Sequence, residues 1–319
     1  MNSKTSIITE KDVLILKELL EDGRRSSSSI SKQIDLGREI VNYRIKRLIK
    51  ENLIVKFIPK INDNAINYRE YTILLKLNLD DDVSKEKFIR EKIGNKYLIW
   101  IIKSSQGWDL MVRLYASSIP EFKLKLAEIL ELFSDILSEY YTIISSEEIK
   151  ECEKAVLCEN LFHDKVINKD FSTIKNEIIE IDKKDKEIIS LLEEDGRVQY
   201  KEIAEKINVS SDTVKYRIER MKKGGIIENF SLIVNFNKLG MFQYSVILKF
   251  KFLNTIFEKE INNYIINSSC IIKAIKSLNI EEYFLNLVFD SKSGIDDFEE
   301  EINLKFKDKI KSIEIFKLG

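Results

Sequence analysis

Proline is nearly missing from this 319-residue chain: two residues, beside ten glycines, three cysteines and one histidine. Three scattered cysteines cannot build a disulfide framework, which fits a reducing cytoplasm. No apolar run reaches the roughly 18 residues that a membrane span requires. The first residues, MNSKTSIITEKDV, hold neither an apolar core nor a small-residue cleavage site, so no secretory signal is expected. Charge of one sign is lacking too. Lys and Arg number 52 against 53 Asp and Glu, a formal net charge of −1, so any basic footprint for nucleic acid must be local. What remains is ordinary for a soluble protein, 44% hydrophobic and 33% charged. The length leaves room for two to four domains.

What is present is a duplication. The stretch from Asp12 to Phe57 returns from Asp185 to Phe230, 185 − 12 = 173 positions later, without a gap. Glu21-Asp22-Gly23-Arg24 recurs as Glu194-Asp195-Gly196-Arg197, and Tyr43-Arg44-Ile45 as Tyr216-Arg217-Ile218. Ile30, Ile34, Val41, Ile54 and Phe57 meet Ile203, Ile207, Val214, Ile227 and Phe230. A repeated unit has to be read before any local motif.

In the first copy, Val13, Leu16, Leu19 and Leu20 have helical spacing, and Gly23 ends that helix. Ser26 to Ser29 offer hydroxyl caps for a second helix through Ile34. Asp35-Leu36-Gly37 is a turn short enough to set the next helix at a steep angle. That third helix, about Arg38 to Glu51, buries Val41, Ile45 and Leu48 and turns Arg38, Glu39, Asn42, Tyr43, Lys46 and Lys50 outward. Long polar side chains on the first two turns suit the donor and acceptor pattern of a DNA major groove. The alternating stretch Leu53 to Ile61 reads as a two-stranded wing with Lys56 and Lys60 available to phosphates. A charged face can be merely solvated, but the three helices, the short turn and the wing favour a DNA reader. Residues 1–62 agree, with 13 Lys and Arg against 8 Asp and Glu. Arg44 adjoins the core residue Ile45, so Asp12, Glu39 and a phosphate all remain open as its partner.

The period then changes. Strands at 71–79, 98–105, 109–115 and 140–146 alternate with helices at 85–93 and from Pro120 to Phe133, a βαββαβ order. Both helices lie on one face, so the other face of the sheet needs a cover. Ile99, Trp100, Ile101, Leu110 and Met111 predict packing of sheet on sheet, within the chain or between chains. Residues 149–180 read as a linker. Cys152, Cys158 and His163 within it have C-x5-C and C-x4-H spacings, outside the usual zinc pairs and without a fourth ligand, so no metal is expected.

The second reader has helices near 185–194, 200–207 and 211–223. Its third helix, capped by Ser210 or Ser211, turns Asp212, Thr213, Lys215, Tyr216 and Glu219 outward, with Arg220 near its far end. Residues 181–235 hold 11 Lys and Arg against 11 Asp and Glu, so this copy should bind DNA more weakly by itself. Six further segments, beginning at 244, 257, 270, 282, 295 and 311, repeat βαββαβ. Here Ile280-Glu281-Glu282 stands where the first sheet has Gly107-Trp108-Asp109.

These patterns resemble the leucine-responsive/AsnC (Lrp/AsnC) family of transcription regulators. The resemblance rests on Asp12, Ile15, Leu16, Leu19, Asp22, Gly23, Arg24, Val41, Arg44, Ile45 and Leu48, then Gly107 and Asp109. In the second copy it rests on Asp185, Ile188, Ile189, Leu192, Asp195, Gly196, Arg197, Val214, Arg217, Ile218, Leu239 and Gly240. It implies an α+β chain of two tandem units, each a winged helix-turn-helix followed by a ferredoxin-like regulatory domain. The expected domains are 1–63 and 181–237 for the readers, 68–148 and 241–319 for the sheets. It also implies double-stranded DNA as partner, dimerisation through the sheets, and a small effector such as an amino acid near Gly107, Trp108 and Asp109. A plain tight turn with a packed tryptophan is the alternative there. Family members carry one unit per chain, so two units allow either an intramolecular pseudo-dimer or a homo-oligomer. No cofactor is expected. Two other functions share the fold: a low-specificity DNA-architectural protein, and an enzyme like the siroheme decarboxylases. The one histidine, His163, lies outside both sheets, which disfavours the enzyme.

Overall fold

A computed structural model of the chain describes residues 8–62, 69–78, 89, 91–93, 98–102, 107–151 and 180–319. The first copy supplies α1 (Glu10–Glu21), α2 (Ser27–Gln33), α3 (Arg38–Lys50), β1 (Ile54–Ile61), β2 (Arg69–Leu77), β3 (Leu98–Ile101), β4 (Leu110–Ala116), α4 (Ile119–Leu132) and β5 (Leu137–Glu151). The second supplies α5 (Lys183–Glu194), α6 (Tyr200–Ile207), α7 (Ser211–Lys223), β6 (Ile227–Val234), β7 (Phe242–Phe250), α8 (Thr255–Asn267), β8 (Ile271–Ser277), β9 (Glu282–Phe289), α9 (Gly294–Phe306) and β10 (Ile310–Lys317). These elements sort into two compact units, each drawn from both copies: Met1–Tyr68 with Leu161–Leu239, and Arg69–Asn160 with Gly240–Gly319. Among the described residues no helix is long and apolar enough to cross a membrane.

In the first unit each copy folds as a three-helix bundle around its repeated apolar positions. Ile15, Leu16, Leu19, Ile30, Val41, Ile45 and Leu48 are buried in one bundle, and Ile188, Ile189, Leu192, Ile203, Val214, Ile218 and Met221 in the other. The caps are local. Thr9 and Asp12 form a reciprocal capping box on α1, Asp182 and Asp185 do the same on α5, and Ser26 and Ser210 cap α2 and α7.

The two-stranded wing expected in each copy is not a hairpin. Each copy contributes one strand, and β1 pairs antiparallel with β6 of the other copy. Ile58 pairs with Ser231, its own counterpart (58 + 173 = 231), so a local two-fold axis passes through that pair. A lone two-residue-wide wing would expose Ile54 and Phe57, whereas the cross-copy ribbon leaves them 1% and 6% accessible.

The Asp-Gly-Arg turns complete the joint. The Gly23 amide donates to the Phe230 carbonyl at 2.7 Å, and the Gly196 amide to the Phe57 carbonyl at 2.8 Å. Arg24 then donates through Nε to the Gly196 carbonyl at 2.6 Å and also reaches the Val198 carbonyl, while Arg197 donates to Gly23 at 2.6 Å and to Arg25 at 3.2 Å. The guanidinium of Arg24 lies 4.8 Å from the Phe230 ring centroid, and that of Arg197 lies 4.2 Å from Phe57. Each turn thus grips the strand of the opposite copy.

In the second unit the strands form one eight-stranded sheet ordered β10-β7-β9-β8-β5-β2-β4-β3. Each half has the ferredoxin-like order, and the halves join where β5 meets β8. Strand β5 runs to Glu151, beyond the expected boundary at 148, because its tail leaves β2 and pairs with β8 from Ser145–Ser277 to Glu151–Lys273. The rest of the expected linker, with Cys152, Cys158 and His163, lies outside the described residues. Of the helix expected at 85–93, residues 89 and 91–93 are described and helical.

The expected sheet-on-sheet packing occurs within the chain. Leu74, Met111 and Ile143 from the first half meet Ile247, Ile275, Phe284 and Phe316 from the second in one buried layer. Of the residues that suggested this layer, Met111 belongs to it. Leu110, Ile101 and Ile99 face the opposite way, toward the helices of their own half. Both faces of β4 are buried, so its hydrophobicity was a sum over two cores; the Trp100 side chain lies outside the described residues.

Gly196 offers the sharpest check on the joint. A Cβ there would sit 2.8 Å from the backbone of Phe57 and Ile58. Gly196→Ala should therefore cost about 1–3 kcal/mol by overpacking, read as a lower midpoint in urea unfolding.

Candidate nucleic-acid interface

The recognition helices α3 and α7 are set from beneath by one buried carboxylate each. Asp12 has no solvent exposure and accepts from Arg44 at 2.9 Å and Arg47 at 2.6 Å. Asp185 does the same with Arg217 at 2.9 Å and with Arg220. Burial pushes the Asp12 carboxyl up, but hydrogen bonds from Thr9 and the charges of Arg44 and Arg47 outweigh it and hold the group below its usual range. This answers the question left open for Arg44: its partner is Asp12. Arg220, expected among the DNA contacts, is paired with Asp185 across the bundle.

With those arginines turned inward, a different set faces out. Arg38, Glu39, Tyr43 and Lys46 are exposed on α3 and Asn42 is half-buried beside them. On α7, Asp212, Lys215 and Tyr216 are exposed and Thr213 is half-buried, its hydroxyl 2.8 Å from that of Ser210. The two tyrosines, 173 positions apart, are 67% and 68% accessible.

The strand lysines are placed otherwise. Lys56 packs toward Glu193, Glu194 and Asp195 of the second copy, and burial pushes its ammonium down despite those carboxylates. Lys60 pairs with Glu228 at 3.8 Å. The physical reason is the cross-copy ribbon: a strand that pairs with its counterpart brings its lysines to the counterpart's acids. Both lysines thus have acidic neighbours from the other copy.

The arginines of the two Asp-Gly-Arg turns were not among the expected site residues. Arg24, Arg25 and Arg197 line a groove of about 520 Å³ with Ser26, Ser27, Gln199 and Tyr200. The repetition of Arg24 as Arg197 was visible, but a contact across copies leaves no trace in local spacing.

In the sheet unit, Gly107 adopts a φ of +81°, which a glycine takes without strain. The Asp109 carboxylate accepts from the Leu77 amide at 2.6 Å, and Trp108 packs on the layer between the sheets near Tyr141. The same face holds a buried ionic group. Glu70 accepts from Lys273 at 2.5 Å and from Tyr115 at 2.9 Å, and lies 3.1 Å from Arg113.

A family profile described as winged helix-turn-helix DNA-binding matches residues 8–55 and 181–228, the two bundles. The chain thus carries two winged helix-turn-helix domains, one in each copy. An uncharacterized HTH-type transcriptional regulator of Pyrococcus furiosus is 26% identical over 149 residues, 46% of this chain and 97% of that protein. A second of that name and organism is 45% identical over 62 residues, 19% of this chain and 42% of that relative. Among solved structures, the siroheme decarboxylase NirDL, in complex with an iron-uroporphyrin III analogue, shares the fold. Its TM-score is 0.54 at 12% identity, over 97% of this chain and 90% of that one.

The Asp12 carboxylate gives a pH test. A carboxyl held low in the folded state contributes stability above its unfolded value of about 3.9, and that contribution is lost as the pH falls through the lower folded value. Asp12→Asn should cost about 3 kcal/mol at neutral pH by removing the buried charge that Arg44 and Arg47 share. Unfolding curves of variant and parent should converge as the pH drops below about 4.

Proposed function

We propose that this protein is a sequence-specific transcription regulator that docks α3 and α7 in successive major grooves of one DNA duplex. The observation that carries this reading is the division of labour on the recognition helices. The inner arginines are tied to Asp12 and Asp185, while Arg38, Asn42, Tyr43 and Lys46 face outward from a fixed base. Arginine pairs with guanine and asparagine with adenine in bidentate fashion, and Lys46 suits a phosphate. On α7 the corresponding contacts fall to Asp212, Thr213, Lys215 and Tyr216. The cross-copy ribbon makes the chain its own pseudo-dimer, so half-sites about one helical turn apart, or a multiple, are expected. The first copy, with its local basic excess, is the principal contact.

Small-effector control near Gly107, Trp108 and Asp109 is the weaker part of this proposal. The Asp109 carboxylate already serves the Leu77 amide, which favours a structural turn. Calorimetric titration with the twenty amino acids tests it, and heat that persists in Trp108→Ala would place any site elsewhere. The decarboxylase reading rests on fold alone. An iron tetrapyrrole titrated into the protein should leave its absorption bands unmoved; a saturable shift would revive the enzyme.

The DNA reading has its own test. Arg38→Ala and Asn42→Ala should each weaken operator binding by about 1–3 kcal/mol and relax preference at one base pair. Lys46→Ala should weaken all sequences alike and lower the salt slope by about one. Lys56→Met should leave that slope where it is. Fluorescence anisotropy across a salt series measures all four, and unchanged binding in both Arg38→Ala and Asn42→Ala would refute the assignment of α3.

A further inference from the structure

We infer that the DNA site read by this protein is non-palindromic, with two unlike half-sites in inverted orientation, one for α3 and one for α7. The inference rests on the DNA-binding reading above and adds the form of the target.

Two related readers joined across a two-fold axis usually meet a two-fold sequence. Here the axis is a property of the scaffold alone. Every buried position that seats the recognition helices repeats in kind: Val41 with Val214, Ile45 with Ile218, Leu48 with Met221, Arg44 with Arg217, Arg47 with Arg220. The outward positions do not. Arg38 becomes Ser211, Ile40 becomes Thr213, Asn42 becomes Lys215 and Lys46 becomes Glu219; Tyr43 agrees with Tyr216 and, at the far end, Lys50 with Lys223, with Glu39 conservatively Asp212.

The chemistry of these changes is directional. Arg38 and Asn42 select purines through paired acceptor and donor edges, and Ile40, 47% accessible in the first turn, suits the methyl of thymine. On the other helix Lys215 suits guanine, while Asp212 and Glu219 can accept from the amino group of cytosine. A half-site that satisfies one face leaves the other with mismatched groups.

A palindrome could still be read if two chains met like with like. The sheet unit is built against that. Lys273 of the second half is 3% accessible and ringed by carboxylates of the first: Glu70 at 2.5 Å, Glu151 at 3.5 Å and Glu148 at 3.8 Å. The counterpart of Glu70 is Gln243 (70 + 173 = 243), so two second halves would bury Lys273 against a neutral amide. Burying an unpaired ammonium is strongly unfavourable. Each half therefore accepts the other half, and every DNA-binding body holds one α3 for each α7.

Selection of bound duplexes from a random pool by the full-length protein tests this. Two different half-sites should be enriched in inverted order, and replacing either by a copy of the other should weaken binding about tenfold or more. A second protein, carrying Ser211→Arg, Asp212→Glu, Thr213→Ile, Lys215→Asn and Glu219→Lys at exposed or half-exposed positions, should enrich an inverted repeat of the first half-site. A palindrome enriched by the natural chain overturns the inference and leaves the DNA reading intact. An unchanged motif from the substituted chain also overturns it. No enrichment by either protein overturns the DNA reading and this inference with it.

Discussion

The first unit depends on two backbones coming within hydrogen-bonding distance at places where no side chain fits. Gly23 and Gly196 each donate to a carbonyl on the opposite strand, and a Cβ on either would lie within 3 Å of that strand's backbone. The contact is short because both partners are bare main chain. It brings Arg24 and Arg197 close enough to satisfy carbonyls of the other turn and to lie over its aromatic rings. Remove the approach and the arginines lose their acceptors, the ribbon β1–β6 loses its flanks, and the readers lose a defined spacing. DNA recognition by two tethered helices needs that spacing, since an unmatched linker forfeits the gain from tethering.

A second constraint acts inside each bundle. A carboxylate at zero exposure is tolerable only when charged partners and hydrogen bonds replace its water. Asp12 and Asp185 meet this condition with two arginines each, and all four arginines belong to recognition helices. The ion groups thereby fix the rotation of α3 and α7 about their own axes. Substitutions on the outward face do not disturb them, so the readers can diverge in sequence preference at little cost to stability.

Much of this was legible in the sequence, because the relevant signals are local. Helical spacing at Val41, Ile45 and Leu48 and the serine caps predict elements that the structure contains. The repeat offset of 173 carries through to β10. What was not legible required knowing which surfaces meet. The stretch 53–61 alternates as any wing strand would, and nothing in it says that its partner is β6 and not a neighbouring hairpin arm. Strand β5 looks finished at Ser146 until β8 is available to extend it. Ile99 and Leu110 signalled a second buried face on the strands without saying which residue served which face. Arg220 and Arg44 carry the same charge as Arg38, and the buried carboxylate beneath them separates the two kinds.

Duplication within one chain changes what selection can act upon. In a symmetric pair of identical chains, a substitution on the recognition helix alters both half-sites at once and must satisfy both. Here each helix face is encoded separately, so Arg38 and Ser211 can drift apart while the shared scaffold stays fixed. For such drift to be useful, like halves must not recombine. The buried charge at Lys273 supplies that restriction by chemistry alone, for it is comfortable only among Glu70, Glu148 and Glu151 of the other half. The scaffold keeps its symmetry where backbones touch and gives it up on the outward helix faces and in the sheet interior.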